Sequence, residues 1–91
     1  MKFRKIDNIF FVGIGGIGMS GIAELLMNLN FNIHGSDLNH NENIIRLKDM
    51  GIDINIGHDH KNITNEIDVV VYSSAIPENN PELIYARKKG I

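Results

Sequence analysis

The sequence predicts an α/β domain, a Rossmann-like doubly wound parallel sheet, and three observations predict it. Apolar runs of strand length alternate with segments of helical period. The first run ends in a glycine-rich turn that opens a helix. The resulting order, strand–helix–strand–helix–strand–loop–strand–helix, makes right-handed crossovers that leave the strands parallel and put helices on both faces. At 91 residues there is room for one domain, with a core that buries roughly 60–65% of the unfolded surface.

Each element has its own signal. Asn8–Val12 is a nearly unbroken apolar run ending at Gly13, the pattern of a strand buried on both faces. From Ile17 the period changes, and Ile22, Leu25, Leu26 and Leu29 form the stripe expected to face the sheet, with Asn30 as the stop. Phe31–Ser36 alternates as a second strand, with Asp37 just past its end. Glu42–Met50 reads as a second helix with Ile44, Ile45 and Leu47 inward and Gly51 at its C-terminal cap. Ile52–Ile56 alternates strictly, a short third strand near an edge. A turn at Gly57–His60 and a polar connection over Lys61–Ile67, with one helical turn, lead to Asp68–Ser73. That segment is β-branched and is expected to be buried on both faces. Asn80 caps a last helix with Pro81 at its first position, Arg87, Lys88 and Lys89 in its final turn and Gly90 beyond. Ile91 reads as the first residue of a further strand, so the expected domain is one cut from a longer protein.

Composition removes several function classes. A net charge of −2 with dispersed Lys and Arg argues against nucleic acid as a partner. No cysteine is present, which excludes disulfides, thiolate metal sites and cysteine nucleophiles. The basic start, Met1-Lys2-Phe3-Arg4-Lys5, leads into too short an apolar stretch for a signal peptide. No run approaches the ~20 residues of a membrane span, so no membrane partner and a cytosolic location are expected.

The chemistry-bearing feature is Gly13-Ile14-Gly15-Gly16-Ile17-Gly18, a G-x-G-x-x-G sequence directly between a strand and a helix. In that context Gly13 allows the tight exit from the strand. Gly15 lets the backbone approach a diphosphate where a Cβ would collide, and Gly18 lets the helix pack close to the sheet. The free N–H groups at the helix start form an anion site. Ser20 suits either a phosphate contact or a bond to a carbonyl one turn back. Asp37 lies nineteen residues after Gly18, where dinucleotide folds place an acid against ribose hydroxyls, and Ser36 beside it is a candidate for the same sugar or base.

Ligands in such folds bind beyond the carboxyl ends of the strands, where strand order reverses. That edge also receives His58 after the third strand and Ser73, Ser74 and Ala75 after the fourth. His58, Asp59 and His60 lack a further clustered ligand, so no metal site is expected. There is no G-x-x-x-x-G-K-[ST] phosphate loop and no nucleophile–base pair, and no catalytic residue is assigned. These residues alone fit an NAD-binding module of an oxidoreductase or transport regulator as well as a UDP-binding one, because Asp37 suits either ribose.

The string Phe11-Val12-Gly13-Ile14-Gly15-Gly16-Ile17-Gly18-Met19-Ser20-Gly21-Ile22-Ala23-Glu24 resembles the opening of the Mur ligases. The resemblance continues through Gly35-Ser36-Asp37, Ile56-Gly57-His58-Asp59, Val71-Tyr72-Ser73-Ser74-Ala75-Ile76 and Asn80-Pro81-Glu82-Leu83. It implies that residues 1–91 are the N-terminal, UDP-binding domain of a three-domain ligase of peptidoglycan synthesis. It further implies that the nucleotide is UDP-N-acetylmuramate, which such an enzyme joins to L-alanine through an acyl phosphate made with ATP. No cofactor is then expected in this domain, ATP and Mg belonging to a central domain and the amino-acid site to a C-terminal one. By the same resemblance the loop from Gly13 to Gly18 faces the diphosphate, Ser36 and Asp37 the uridine, His58 the uracil or diphosphate, and Ser73, Ser74 and Ala75 the same cleft. A strand cut short at Ile91 would also leave an open sheet edge, with weak self-association as the expected result.

Overall fold

The computed structural model describes residues 5–91; the basic segment from Met1 to Arg4 lies outside the described residues. Four parallel strands, β1 (Asn8–Val12), β2 (Asn32–Asp37), β3 (Asp53–Ile56) and β4 (Val69–Tyr72), form one sheet in the order β3-β2-β1-β4. Helices α1 (Met19–Asn28), α2 (Glu42–Asp49) and α3 (Pro81–Lys89) complete the fold, with a single 3-10 turn at His60–Asn62. The expected Rossmann-like order is present. β3 is an edge strand, as its short alternating sequence predicts.

Alternation along β1 splits the core into two layers. Ile9 and Phe11 pack with Ile14, Ala23, Ile33, Ile44 and Leu47, so α1 and α2 cover one face. Phe10 and Val12 pack with Ile63, Ile67 and Leu83, so α3 and the segment before β4 cover the other. An apolar residue at every position of β1 after Asn8 therefore reflects burial on both sides, and Phe10, Phe11 and Val12 are all fully enclosed. The start of β1 is tied to β4 by Asp68, whose Oδ2 accepts the N–H groups of Asp7 and Asn8 at 2.9 Å each.

Three burial expectations are corrected. Of the α1 stripe, Ile22, Leu25 and Leu29 are exposed and only Leu26 packs on the core; the buried residues are Ser20 and Ala23, flanked by partly buried Met19 and Met27. In α2, Ile44 and Leu47 are buried but Ile45 is exposed. β4 is only half-buried, because it lies at the end of the sheet with no strand on its outer side among the described residues. Ile91 forms no strand; its N–H closes the end of α3 on the Ala86 carbonyl, and its side chain packs on the second core layer.

Asparagines cap the starts of α2 and α3. Asn41 caps α2 through the Ile44 N–H. Asn80 caps α3 through the N–H groups of Glu82 and Leu83, with Pro81 in the first turn and Gly90 left-handed at φ 77°. One interior glycine is required by space. A Cβ on Gly35 in β2 would lie 2.9 Å from Ile14 Cβ and 3.0 Å from the Phe11 carbonyl. Gly35→Ala is therefore expected to lower stability by about 1–3 kcal/mol through overpacking, read from the shift in a urea unfolding midpoint.

Candidate functional site

The turn after β1 is defined by where its backbone N–H groups go. Gly13, at φ 77°, and Ile14 both donate to the Ser36 carbonyl, at 2.8 and 3.0 Å. Gly15 donates to Asp37 Oδ2 at 2.8 Å, and Gly16 to the Gly13 carbonyl at 3.0 Å. The Gly15 carbonyl in turn accepts from Asn43 Nδ2 of α2. Past this point the donors run out of acceptors: the N–H groups of Ile17, Gly18 and Met19 have no protein partner among the described residues. Gly18 occupies the cap position of α1 and offers no side-chain acceptor, whereas α2 and α3 are both capped by asparagine. Uncapped donors at the positive end of a helix dipole attract an anion.

The position in the sheet matches this chemistry. β2 and β3 lie on one side of β1 and β4 on the other, so strand order reverses between β1 and β4, beside the glycine turn. The segment after β4 comes directly against it, since a Cβ on Gly13 would lie 2.8 Å from Ile76 Cδ1. Ser73 is half-buried and its Oγ accepts the Ala75 N–H, while Ser74 and Ala75 are exposed. Arg87 steadies this loop by bonding to Glu78 Oε2 and Tyr72 Oη. The guanidinium pKa is raised above its ordinary value, first by the Glu78 hydrogen bond and then by that to Tyr72.

The glycines are needed for reasons partly different from those expected. A Cβ on Gly15 would meet Ile44 Cδ1 at 2.7 Å and Asp37 Oδ2 at 3.0 Å, so the space behind Gly15 is filled by the protein itself. A Cβ on Gly18 would meet no atom within 4 Å, so helix–sheet packing does not require glycine there; its φ of 85° does. Gly16, Ile17 and Gly18 are exposed at the tip, and Ile14 is enclosed in the core.

Ser36 and Asp37 also sit differently from expectation. Asp37 is the last residue of β2, only 9% exposed, and its two carboxylate oxygens accept the backbone N–H groups of Gly15 and Asn39. Ser36 is fully enclosed and presents no surface to a ligand. Its hydroxyl donates to Glu82 Oε1 at 2.7 Å and lies 2.9 Å from His58 Nδ1. His58 Nδ1 also lies 2.8 Å from Glu82 Oε1, and Asn62 Nδ2 donates to Glu82 Oε2 at 2.8 Å. Glu82 is completely buried. The sequence signals for Glu82, Asn62 and Asn43 were too plain to single them out: an acid in the first turn of a helix is usually a solvated charge.

Among the described residues no group of three or more His, Asp or Glu side chains is arranged to hold a metal. His60 lies 3.4 Å from Asp59 and is tilted against the Tyr85 ring. Two concavities of the surface, about 260 and 350 Å³, lie elsewhere. One is at the N-terminal ends of the strands beside Asn8, Phe31 and Gly51, the other on the sheet face beside His34, Asn55 and Lys61. Neither of them is lined by the glycine turn.

Two substitutions separate the roles of the turn. Asp37→Ala leaves the buried Gly15 N–H without an acceptor and is expected to cost about 1–3 kcal/mol of stability, measured by urea denaturation. Gly18→Ala meets no steric obstacle and strains only the backbone, by about 1–3 kcal/mol. It should leave the sheet intact by circular dichroism while displacing the tip donors.

The family model for the Mur ligase family, catalytic domain, matches residues 8–91. UDP-N-acetylmuramate–L-alanine ligase of Clostridium acetobutylicum is 55% identical over 83 residues, covering 91% of this chain and 18% of that protein. The same-named ligase of Persephonella marina is 53% identical over 87 residues, covering 96% and 19%. Among solved structures, UDP-N-acetylmuramate-alanine ligase of Thermotoga maritima superposes with a TM-score of 0.88 at 34% identity, over 92% of this chain and 19% of that one. A murein peptide ligase of Psychrobacter arcticus superposes with a TM-score of 0.85 at 26% identity, over 93% and 18%. The chain spans about a fifth of the length of the curated relatives it matches. With a matching family model over nearly all its length and a shared fold, the chain belongs to the Mur ligase family.

Proposed function

We propose that this chain is the UDP-binding domain of a UDP-N-acetylmuramate–L-alanine ligase, a cytosolic enzyme of peptidoglycan synthesis. The observation that carries the reading is the uncapped start of α1, with the free N–H groups of Ile17, Gly18 and Met19 at the point where strand order reverses. Those donors would take the diphosphate of UDP-N-acetylmuramate. Ser73, Ser74 and Ala75 would border the crevice from the β4 side and His58 from the α3 side. Asp37, and Gly15 through it, would hold the turn in shape rather than touch the nucleotide, and Ser36 would act only through its neighbours. The relatives' names support a UDP-sugar over NAD as the ligand.

In such a ligase the muramoyl carboxylate is activated as an acyl phosphate, which the amine of alanine attacks. The residues present do not fit the ATP and Mg of that step. The sequence has no G-x-x-x-x-G-K-[ST] loop, and the described residues have no cation-binding cluster. This domain's contribution is therefore positional: it holds the nucleotide handle and leaves the muramoyl end free to reach the chemistry.

Isothermal titration of the chain should give a micromolar-to-millimolar dissociation constant for UDP and UDP-N-acetylmuramate, with no turnover. No heat at millimolar ligand from folded protein would remove the reading, and quenching of NADH fluorescence that UDP does not reverse would favour the dinucleotide alternative. Among the described residues no strand pairs with the outer edge of β4, and we expect weak self-association through it, seen as a sedimentation coefficient that rises with concentration. A constant monomer value would count against it.

A further inference from the structure

The buried carboxylate of Glu82 is not explained by packing or by capping. It is 0% exposed, and its N-terminal helix position already has a cap in Asn80. Its oxygens accept from the Ser36 hydroxyl and from Asn62 Nδ2, and Oε1 lies 2.8 Å from His58 Nδ1. A carboxylate taken fully out of water needs a compensating charge as well as hydrogen bonds. Among the described residues His58 is the one cationic-capable side chain in contact with it.

The other elements around His58 offer no rival. β2 presents the neutral Ser36 hydroxyl, and the 3-10 turn presents Asn62, whose amide bonds to the carboxylate and not to the ring. The adjacent Asp59 is engaged with the Lys61 N–H and His60. Because an ionised carboxylate only accepts, Nδ1 must carry a proton. The ring atom left without a protein partner is Nε2, on a side chain that is still 13% exposed.

We propose that Glu82 is a positioning residue for ligand recognition: it holds His58 by Nδ1, with that nitrogen donating to the carboxylate, and so aims Nε2 at an anionic group of the ligand. This rests on the nucleotide reading above, in which the anion is the diphosphate of a UDP-sugar. The histidine then supplies a charge from the α3 side of the crevice, opposite the neutral N–H donors of α1. A hydrogen bond between ions is stronger and more directional than one between neutral groups. Affinity would accordingly depend on the protonation of a single side chain.

The test begins with the unsubstituted chain labelled with ¹⁵N. Its histidine spectrum should show His58 Nδ1 protonated, and Glu82→Gln should lose that fixed state; an unprotonated Nδ1 overturns the proposal whether or not any ligand binds. UDP-N-acetylmuramate is the binding probe, because its diphosphate diester does not titrate near neutrality. Affinity should fall as pH rises through the imidazole range, and the fall should flatten in Glu82→Gln. At the acid end Glu82→Gln and His58→Ala should each weaken binding roughly tenfold, and the double variant no more than His58→Ala alone. Additive losses or an unchanged pH slope in Glu82→Gln would make Glu82 merely structural and overturn the proposal. If Glu82→Gln does not fold, the pH slope must still vanish in His58→Ala. Absence of binding at every pH, with Nδ1 protonated, overturns the nucleotide reading and the ligand role of His58 together, while the tautomer result stands.

Discussion

The bond from the Gly15 N–H to Asp37 Oδ2 joins the glycine turn to the end of β2, and the shape of the candidate site depends on it. Gly13 and Ile14 donate to the neighbouring Ser36 carbonyl, so three successive N–H groups are held by two successive residues of one strand. The geometry is tight on every side. Ile44 and Asp37 fill the space behind Gly15, and Ile14 and the Phe11 carbonyl fill the space above Gly35. Glycine at 15 and 35 is what permits β1, β2, the turn and α2 to close on one another. The donors beyond the turn then start from a fixed base, and a fixed donor array loses less entropy when it meets a ligand.

Strand alternation gives Ser36 and Asp37 opposite tasks. Asp37 lies on the side of the sheet covered by α1 and α2, where it organises the turn. Ser36 lies on the α3 side, where it joins Glu82 and His58. A single dipeptide therefore couples the two walls of the crevice through the backbone of β2. Each residue is enclosed, and each shapes a more accessible group: the loop tip in one case, the imidazole in the other. The side chains that sequence-based reasoning set against the ligand are themselves enclosed, Ser36 fully and Asp37 nearly so.

Much of the fold was legible because its signals are local. The unbroken apolar run of β1, the glycine turn, the Asn80-Pro81 start of α3 and the strict alternation around β3 each follow from a few adjacent residues. What was not legible depends on packing between elements. Ile22, Leu25 and Leu29 form a good apolar stripe, yet Ser20 and Ala23 are the buried residues of α1. The half-burial of β4 comes from its place at the sheet edge, which its β-branched sequence does not encode. Glu82 reads as an ordinary first-turn acid, and only the convergence of β2, the turn after β3 and α3 reveals that it is buried against His58. The candidate residues were legible as one end of the sheet, whereas which of them the protein itself encloses was not.

Recognition by backbone donors has a consequence for specificity. The N–H groups of Ile17, Gly18 and Met19 would address any diphosphate equally, since every nucleotide diphosphate carries the same oxygens. Discrimination must then come from side chains at the margins of the crevice, where the sugar and base would extend. Asp37 is the acid that a ribose would be expected to meet, but both of its oxygens already hold backbone N–H groups and little of it is exposed. The accessible margins are instead the Ser73–Ala75 segment on one side and His58 on the other. On the proposed reading, the turn supplies affinity for the diphosphate, and the choice of what is attached to it falls to the loops after β3 and β4.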